Sequence, residues 1–262
     1  MGLLEDKKGI VIGVANERSI CWGITDGCLK QGAKVAVSYL DMTENRVRGL
    51  IEKHENVKNA IAEKCDVSSD ESIKSFFEFV KKEFGTIDFI VCGPAFCNKD
   101  CLKGDYMNVS RADFLQAMDI SVFSLTTICK TFEPIMNNGG SVITLSYYGA
   151  EKYVKNYNVM GVCKAALEAS VRYLASDFGK RKIRVNSISA GAVKTLAASA
   201  IGEFTKLLKF GEKNSLLHSN VSQNDVANTA IYLLSDLSTC ITAENIHCDC
   251  GMNAVGLAGA DE

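Results

Sequence analysis

Short apolar runs alternate with amphipathic stretches along the whole chain. Residues 9–15, 34–40, 60–67, 88–93, 141–146, 184–190 and 244–249 are short segments bounded by turn residues, and they predict seven strands. Most are nearly continuous in apolar residues, as strands buried on both faces should be. Between them, residues 20–31, 43–54, 70–84, 111–136, 157–178 and 223–235 carry apolar positions at helical spacing. Strand and helix taking turns predicts an α/β fold: a single-domain, Rossmann-like, doubly wound parallel sheet of about seven strands with helices on both faces. Residues 196–219 break the alternation with a polar–apolar helical stretch that follows a strand end, where the ligand crevice of such a fold lies. That position suits a substrate lid, and the pattern alone suits a plain surface helix equally well. There is no repeat, linker or low-complexity segment, so residues 1–256 read as one domain and 257–262 as a tail.

Composition narrows the function. The chain has 262 residues, 47% of them hydrophobic, enough for one large domain with a substantial core. The net charge of −2 comes without a block of like charges, which argues against a nucleic-acid or anionic-membrane partner. The N-terminal run Met1-Gly2-Leu3-Leu4-Glu5-Asp6-Lys7-Lys8 is too charged for a signal peptide, and no apolar run approaches a membrane span. A soluble, cytoplasmic protein is expected. Of the eleven cysteines, Cys28, Cys65, Cys92, Cys129 and Cys163 sit inside apolar patterns, where Cys acts as a small hydrophobe. His247-Cys248-Asp249-Cys250 lacks a second ligand pair at zinc-site spacing, so strand alternation explains it better and no metal is expected.

The first strand runs into Gly13-Val14-Ala15-Asn16-Glu17-Arg18-Ser19-Ile20, a turn followed by a helix start. Gly13 lets backbone approach a ligand closely. Ser19 is placed as a helix cap whose hydroxyl and neighbouring N–H groups face an anion. This is neither GxGxxG nor a P-loop, and an ordinary turn plus cap would read the same. The second strand ends at Leu40-Asp41, where dinucleotide folds meet the adenosine ribose. An acid there and no immediate cation favour NADH over NADPH, with Arg46 and Arg48 further along. Asp66-Val67, ending the third strand, would face an adenine or simply turn the chain.

Tyr157 and Lys164 stand seven residues apart in a helical stretch, close to two turns, which places them on one face roughly 10 Å apart along the axis. A nicotinamide riboside could lie against that face. Lys164 would hydrogen-bond its ribose and favour a more acidic phenol at Tyr157, and the phenol could donate to an oxygen gaining negative charge. A literal Tyr-x3-Lys also occurs at Tyr148 and Lys152, but it follows a strand directly and contains Gly149, so it reads as loop.

With Leu145-Ser146-Tyr147-Tyr148-Gly149-Ala150-Glu151 before it and Asn156-Tyr157-Asn158-Val159-Met160-Gly161 around it, this stretch resembles the NADH-dependent bacterial enoyl-acyl carrier protein reductases. These are divergent short-chain reductases whose pattern is Tyr-x6-Lys with a second Tyr ten residues earlier. Tyr147, Tyr157 and Lys164 match it. So do Gly13-Val14-Ala15 with Ser19-Ile20, Arg184-Val185-Asn186, Ser189-Ala190-Gly191 and Thr195-Leu196-Ala197-Ala198-Ser199, in order over roughly residues 1–256. The resemblance implies reduction of the C2–C3 double bond of enoyl thioesters on acyl carrier protein. Hydride would pass to C3 and Tyr157 would stabilise the enolate. It further implies that Gly13, Ser19, Ile20, Leu40, Asp66, Val67, Pro94, Lys164, Val193, Lys194, Thr195, Leu196 and Ala197 border NADH. Cys97 would touch substrate, Tyr147 would line the acyl pocket and join Tyr157 and Lys164 in catalysis by helping with proton delivery, and the assembly would be a homotetramer. The chain departs from the family at Gly93-Pro94-Ala95-Phe96-Cys97, where Pro94 removes a backbone donor, at Ala192 in place of Pro, at Leu216-Leu217-His218 and at Leu40. A reductase of another carbonyl or enone, or a silent NAD-binding paralogue, would share the fold and the nucleotide end.

Overall fold

In the computed structural model, residues 2–195 and 204–256 are described. Seven strands, β1 (Lys8–Ile12), β2 (Lys34–Tyr39), β3 (Ala60–Lys64), β4 (Ile87–Cys92), β5 (Met136–Ser146), β6 (Arg184–Ala190) and β7 (Asn245–Cys248), pair in the order β3-β2-β1-β4-β5-β6-β7. Every pairing is parallel. Each crossover carries helix: α1 (Ile20–Lys30), α2 (Glu44–Glu52), α3 (Asp70–Phe84), α4 (Arg111–Met118), α5 (Ser124–Phe132), α6 (Asn158–Phe178), α7 (Phe204–Asn214) and α8 (Gln223–Leu234). The central strands have apolar residues on both faces, so the sheet needs two cores. One holds Phe76, Phe132, Leu167 and Val171 from α3, α5 and α6. The other holds Ile24, Val47 and Ile231 from α1, α2 and α8. The order of the strands reverses between β1 and β4, and a ligand crevice opens at such a switch point, beyond the carboxyl ends of the strands.

β1 and β3 each end three residues earlier than expected, at Ile12 and Lys64, and two boundaries differ more. The helix expected over 111–136 is two helices joined by a π turn, Asp119–Phe123, and it ends at Phe132. Pro134 in the following 3-10 turn, Glu133–Ile135, cannot donate to a helix and clashes with its preceding turn. β5 therefore starts at Met136, five residues earlier than residue 141. Its first half, Asn137-Asn138-Gly139-Gly140, pairs irregularly beside β4 and carries no apolar alternation.

The block Arg184-Val185-Asn186 has a structural purpose. Arg184 is buried, and its guanidinium donates to Leu233 O at 2.6 Å, Ser238 Oγ at 2.7 Å and Ser235 O at 3.2 Å. Asn186 donates to Ile241 O and accepts from Glu244 N–H. These contacts fasten the end of α8 and the approach to β7. Of the candidate lid at 196–219, residues 204 onward are described: α7 buries Leu208, leaves Phe210 half-exposed, and is tied at its base by Leu217 N–H to Cys250 O. Among the described residues no helix is long and apolar enough to cross a membrane.

Candidate active site

Because the strands are all parallel, their carboxyl ends share one edge. Along it stand Gly13 after β1, Leu40 after β2, Asp66 and Val67 beyond β3, Pro94 beyond β4, Tyr147 after β5 and Val193, Lys194 and Thr195 beyond β6. Leu196 and Ala197 lie outside the described residues. Residues far apart in the chain are thus brought to a single crevice.

At its nucleotide end, Gly13 has φ +107°, and a Cβ there would lie 3.1 Å from Gly93 C and Pro94 N. The backbones of the β1 and β4 loops meet at this point with no room for a side chain. Ser19 occupies the N-cap position of α1, but its hydroxyl makes no cap bond. It accepts instead from the N–H groups of Ala15 and Asn16, both at 3.1 Å, and so folds the loop. The expected cap is therefore a loop clasp. The consequence favours an anion: the first turn of α1, beginning at Ile20, keeps its N–H groups free of a side-chain cap.

At the second strand end, Leu40 is half-exposed and Asp41 is paired with Lys64 Nζ at 2.6 Å. Arg48 is engaged with Glu44 at 2.9 Å and with the Tyr39 hydroxyl at 2.6 Å, so it is already committed. Asp66 turns its carboxylate into its own loop, accepting from Ser68 N–H and Ser68 Oγ, while Val67 packs on the core below.

The chemical end is built by β5, its following loop and α6. Lys164 is 5% exposed, and its Nζ donates to Leu145 O at 2.7 Å. Burial pulls its ammonium down to about 8. Tyr157 sits at the N-cap of α6 and is 8% exposed. Tyr147 packs against it edge to face, with ring centroids 4.8 Å apart. Burial pushes the Tyr147 phenol up to about 12, and raises that of Tyr157 further, aided by Tyr147 and by the Cys163 and Cys97 thiols. The expectation that Lys164 would acidify Tyr157 is not met: desolvation dominates, and Lys164 is absent from the groups that move this phenol. Cys97, Leu102, Tyr147, Val154, Tyr157 and Met160 form one small apolar cluster.

Two features here escaped the sequence reading. Asn156 and Asn158, on either side of Tyr157, have φ +66° and +40°. Asn tolerates this left-handed backbone better than most residues, so the Asn-Tyr-Asn triplet sets the Tyr157 side chain on an abrupt entry to α6. A run of two asparagines around a tyrosine was the available signal. Leu102, Val154 and Met160 were missed because nothing local marks an apolar residue as a pocket wall. The alternative motif fails for a structural reason: Tyr148 starts a 3-10 turn, Tyr148–Ala150, and Lys152 is exposed. Nor could a lysine stand four residues after Tyr157, since a Cβ on Gly161 would lie 2.8 Å from the Gly149 carbonyl oxygen.

His247 pairs with Glu151 at 2.7 Å, and Asp249 accepts from the N–H groups of Gly251 and Asn253. Among the described residues no group of three or more His, Cys, Asp or Glu side chains is arranged to hold a metal.

Residues 13–253 match the family described as enoyl-(acyl carrier protein) reductase. The NADH-type enoyl-[acyl-carrier-protein] reductase 1 of Rhizobium meliloti is 48% identical over 261 residues, 99% of this chain and 95% of that protein. The crystal structure of the Anaplasma phagocytophilum reductase in complex with NAD is 48% identical with a TM-score of 0.93, over 99% of this chain and 96% of that one. The Bacillus cereus enoyl-acyl carrier protein reductase, solved with NADP+ and an indole naphthyridinone, is 45% identical with a TM-score of 0.95, over 98% and 100%. With near-complete coverage in both directions, and a buried Tyr157 and Lys164 at the carboxyl edge of a parallel seven-stranded sheet, this chain belongs to the enoyl-[acyl-carrier-protein] reductase family of short-chain dehydrogenase/reductases.

Proposed function

We propose that the crevice reduces the C2–C3 double bond of trans-2-enoyl thioesters carried on acyl carrier protein, the last step of each fatty-acid elongation cycle, with NADH as reductant. The observation that carries this assignment of residues is the buried Tyr157, packed edge to face on the partly buried Tyr147, with Lys164 tied to the end of the same strand, at the end of the crevice remote from Asp41. NADH, when bound, would supply the hydride that goes to C3 and leave as NAD+, and the resulting enolate would take its C2 proton from solvent, with Tyr147 helping to deliver it. The glycine-lined meeting of the β1 and β4 loops and the uncapped first turn of α1 suit its pyrophosphate, so Gly13, Ser19 and Ile20 would hold it. Leu40, Asp66 and Val67 would flank the adenosine, and Pro94 with Val193, Lys194, Thr195, Leu196 and Ala197 would border the remainder.

Lys164 has three N–H donors, and one is spent on Leu145 O. The others are offered to the nicotinamide ribose hydroxyls. Tyr157 keeps its proton across the working pH range because burial raises its pKa. It is therefore a neutral donor, aimed at a thioester oxygen that gains charge as the hydride arrives. In a low-dielectric pocket such a donor stabilises the transition state more than the ground state. Tyr147 and Cys97 wall the acyl chain. A tetramer is supported by exposed Leu115, Phe123, Val162 and Tyr173 on α4, the π turn and α6, which pack side by side. Sedimentation should give the mass of four chains; a monomer at assay concentration would dismiss the tetramer.

The enzyme is expected to consume NADH with crotonyl thioester and not with acetoacetyl thioester, followed by NADH absorbance. Tyr157→Phe should lower kcat by about 10²–10³-fold, the usual loss for one oxyanion donor, with NADH affinity intact. Substitution of Tyr148 or Lys152 should do little. Consumption with the acetoacetyl substrate alone would instead make the chain a ketoreductase.

Lys164 sets a pH dependence. It is charged below about pH 8 and neutral above, so NADH affinity should weaken as pH rises through about 8. Lys164→Met should bind NADH more weakly and without that inflection, read by fluorescence titration. Stability should run the other way. The unfolded chain keeps this lysine protonated to about its ordinary 10.5, so between about 8 and 10.5 the unfolded state holds the extra proton and the fold gains stability with rising pH.

Asp41 and Lys64 set the choice of cofactor. NADH should be used at least about tenfold more efficiently than NADPH, equivalent to about 1.4 kcal/mol. Asp41→Ala removes the like charge and frees Lys64 for a 2′-phosphate, so NADPH use should rise. A variant with the unchanged preference would show that the Asp41–Lys64 pair does not read this position.

A further inference from the structure

The π turn between α4 and α5 has no counterpart in the periodicity of the sequence. Such a turn inserts one residue into the helical path and redirects the side chains around it. Ser121, inside it, is 1% exposed. Its hydroxyl reaches across to the loop after β4, where it accepts from Phe96 N–H at 3.0 Å and donates to Phe96 C=O at 3.1 Å. One side chain thus holds both backbone polar groups of one loop residue. The same Oγ lies 3.9 Å from Met160 Sδ on α6, and Met160 packs with Tyr157.

The loop needs such an anchor. Gly93 N–H is bound to Ile12 O at 3.0 Å, and Pro94 has no N–H to give. Among the described residues, the next fixed point along the chain is the double bond at Phe96. Cys97 follows immediately and joins the apolar cluster that contains Tyr147, Tyr157 and Met160. The Phe96 ring itself is 44% exposed, so packing of that side chain does little to hold the loop in place.

We propose that Ser121 is a positioning residue for the reduction. Its hydroxyl fixes the loop at 93–97 against α6, and so sets the gap between Cys97 and Tyr157 in which the enoyl group lies. This rests on the assignment of Tyr157 and Cys97 under the proposed function. Ser121 touches neither substrate nor cofactor. It acts through the Phe96 peptide, and an error of about 1 Å in the placement of a reacting group can cost about 10²-fold in rate.

The test compares Ser121→Ala, Ser121→Thr and Ser121→Cys in the full-length enzyme. Ser121→Ala should lose about tenfold or more in kcat/KM for crotonyl thioester, at a temperature well below its melting point. Its NADH affinity should fall much less than its kcat/KM, because Gly93, beside the Gly13 loop, is held separately by Ile12 O. Hydrogen exchange of the Phe96 amide should accelerate. Ser121→Thr, which keeps the hydroxyl, should recover most of the rate and the slow exchange. Wild-type kcat/KM in Ser121→Ala would overturn the proposal, as would a rate loss with Phe96 exchange unchanged. Should the alanine variant fail to fold, Ser121→Cys, of similar size and a weak hydrogen-bonder, replaces it, and full activity there overturns the proposal equally. A wild-type enzyme that binds NADH yet reduces no enoyl thioester would instead overturn the proposed function, while slow Phe96 exchange would still report the clasp.

Discussion

The hydrogen bond from Lys164 Nζ to the Leu145 carbonyl, 2.7 Å long and sealed from solvent, joins α6 to the end of β5. Both tyrosines depend on it. Tyr147 lies two residues beyond Leu145, and Tyr157 opens the helix that carries Lys164. One buried bond therefore sets the separation of the two rings, which meet edge to face. An ammonium in such surroundings is costly to desolvate, and a single carbonyl does not offset the whole cost. Its lowered pKa expresses the imbalance. Donors left over by Leu145 are what a ribose can use.

Burial also decides protonation. In water a lysine beside a phenol would favour the phenolate. Here the phenolate would itself be desolvated, and burial sets the direction of the shift. Near neutral pH the phenol is therefore neutral while the ammonium is still largely charged. The thiols nearby obey the same rule: Cys97 and Cys163 are pushed up to about 12 and about 11, which keeps them as uncharged walls of the pocket.

Backbone shape does as much as charge. The β1 and β4 loops touch at Gly13 and Gly93, and Ser19 closes the first loop on itself instead of capping its helix. Asn156 and Asn158 bend the chain on both sides of Tyr157. At the adenosine end, an exposed ion pair between Asp41 and Lys64 places both signs of charge where a 2′-hydroxyl or a 2′-phosphate would come. An exposed pair of this kind contributes about 0–1 kcal/mol to stability.

Much of this molecule was legible in its sequence. Nearly continuous apolar runs separated by amphipathic helices point to a parallel sheet buried on both faces, because the helical crossovers between parallel strands cover both sides. The spacing of Tyr157 and Lys164, with Tyr147 ten residues earlier, was readable because helical periodicity is local, and the structure sets Tyr157 at the start of α6 and ties Lys164 to the end of β5. Local patterns could not show the early start of β5, whose Asn-Asn-Gly-Gly run is held by β4 and by Arg181, both distant in sequence. They could not show the π turn, nor the reach of Ser121 to Phe96, a contact between residues 25 apart. The tertiary structure alone decided which atoms are dry. Desolvation depends on what packs above and below a residue, so the protonation of Tyr157 and Lys164 was set by distant parts of the chain.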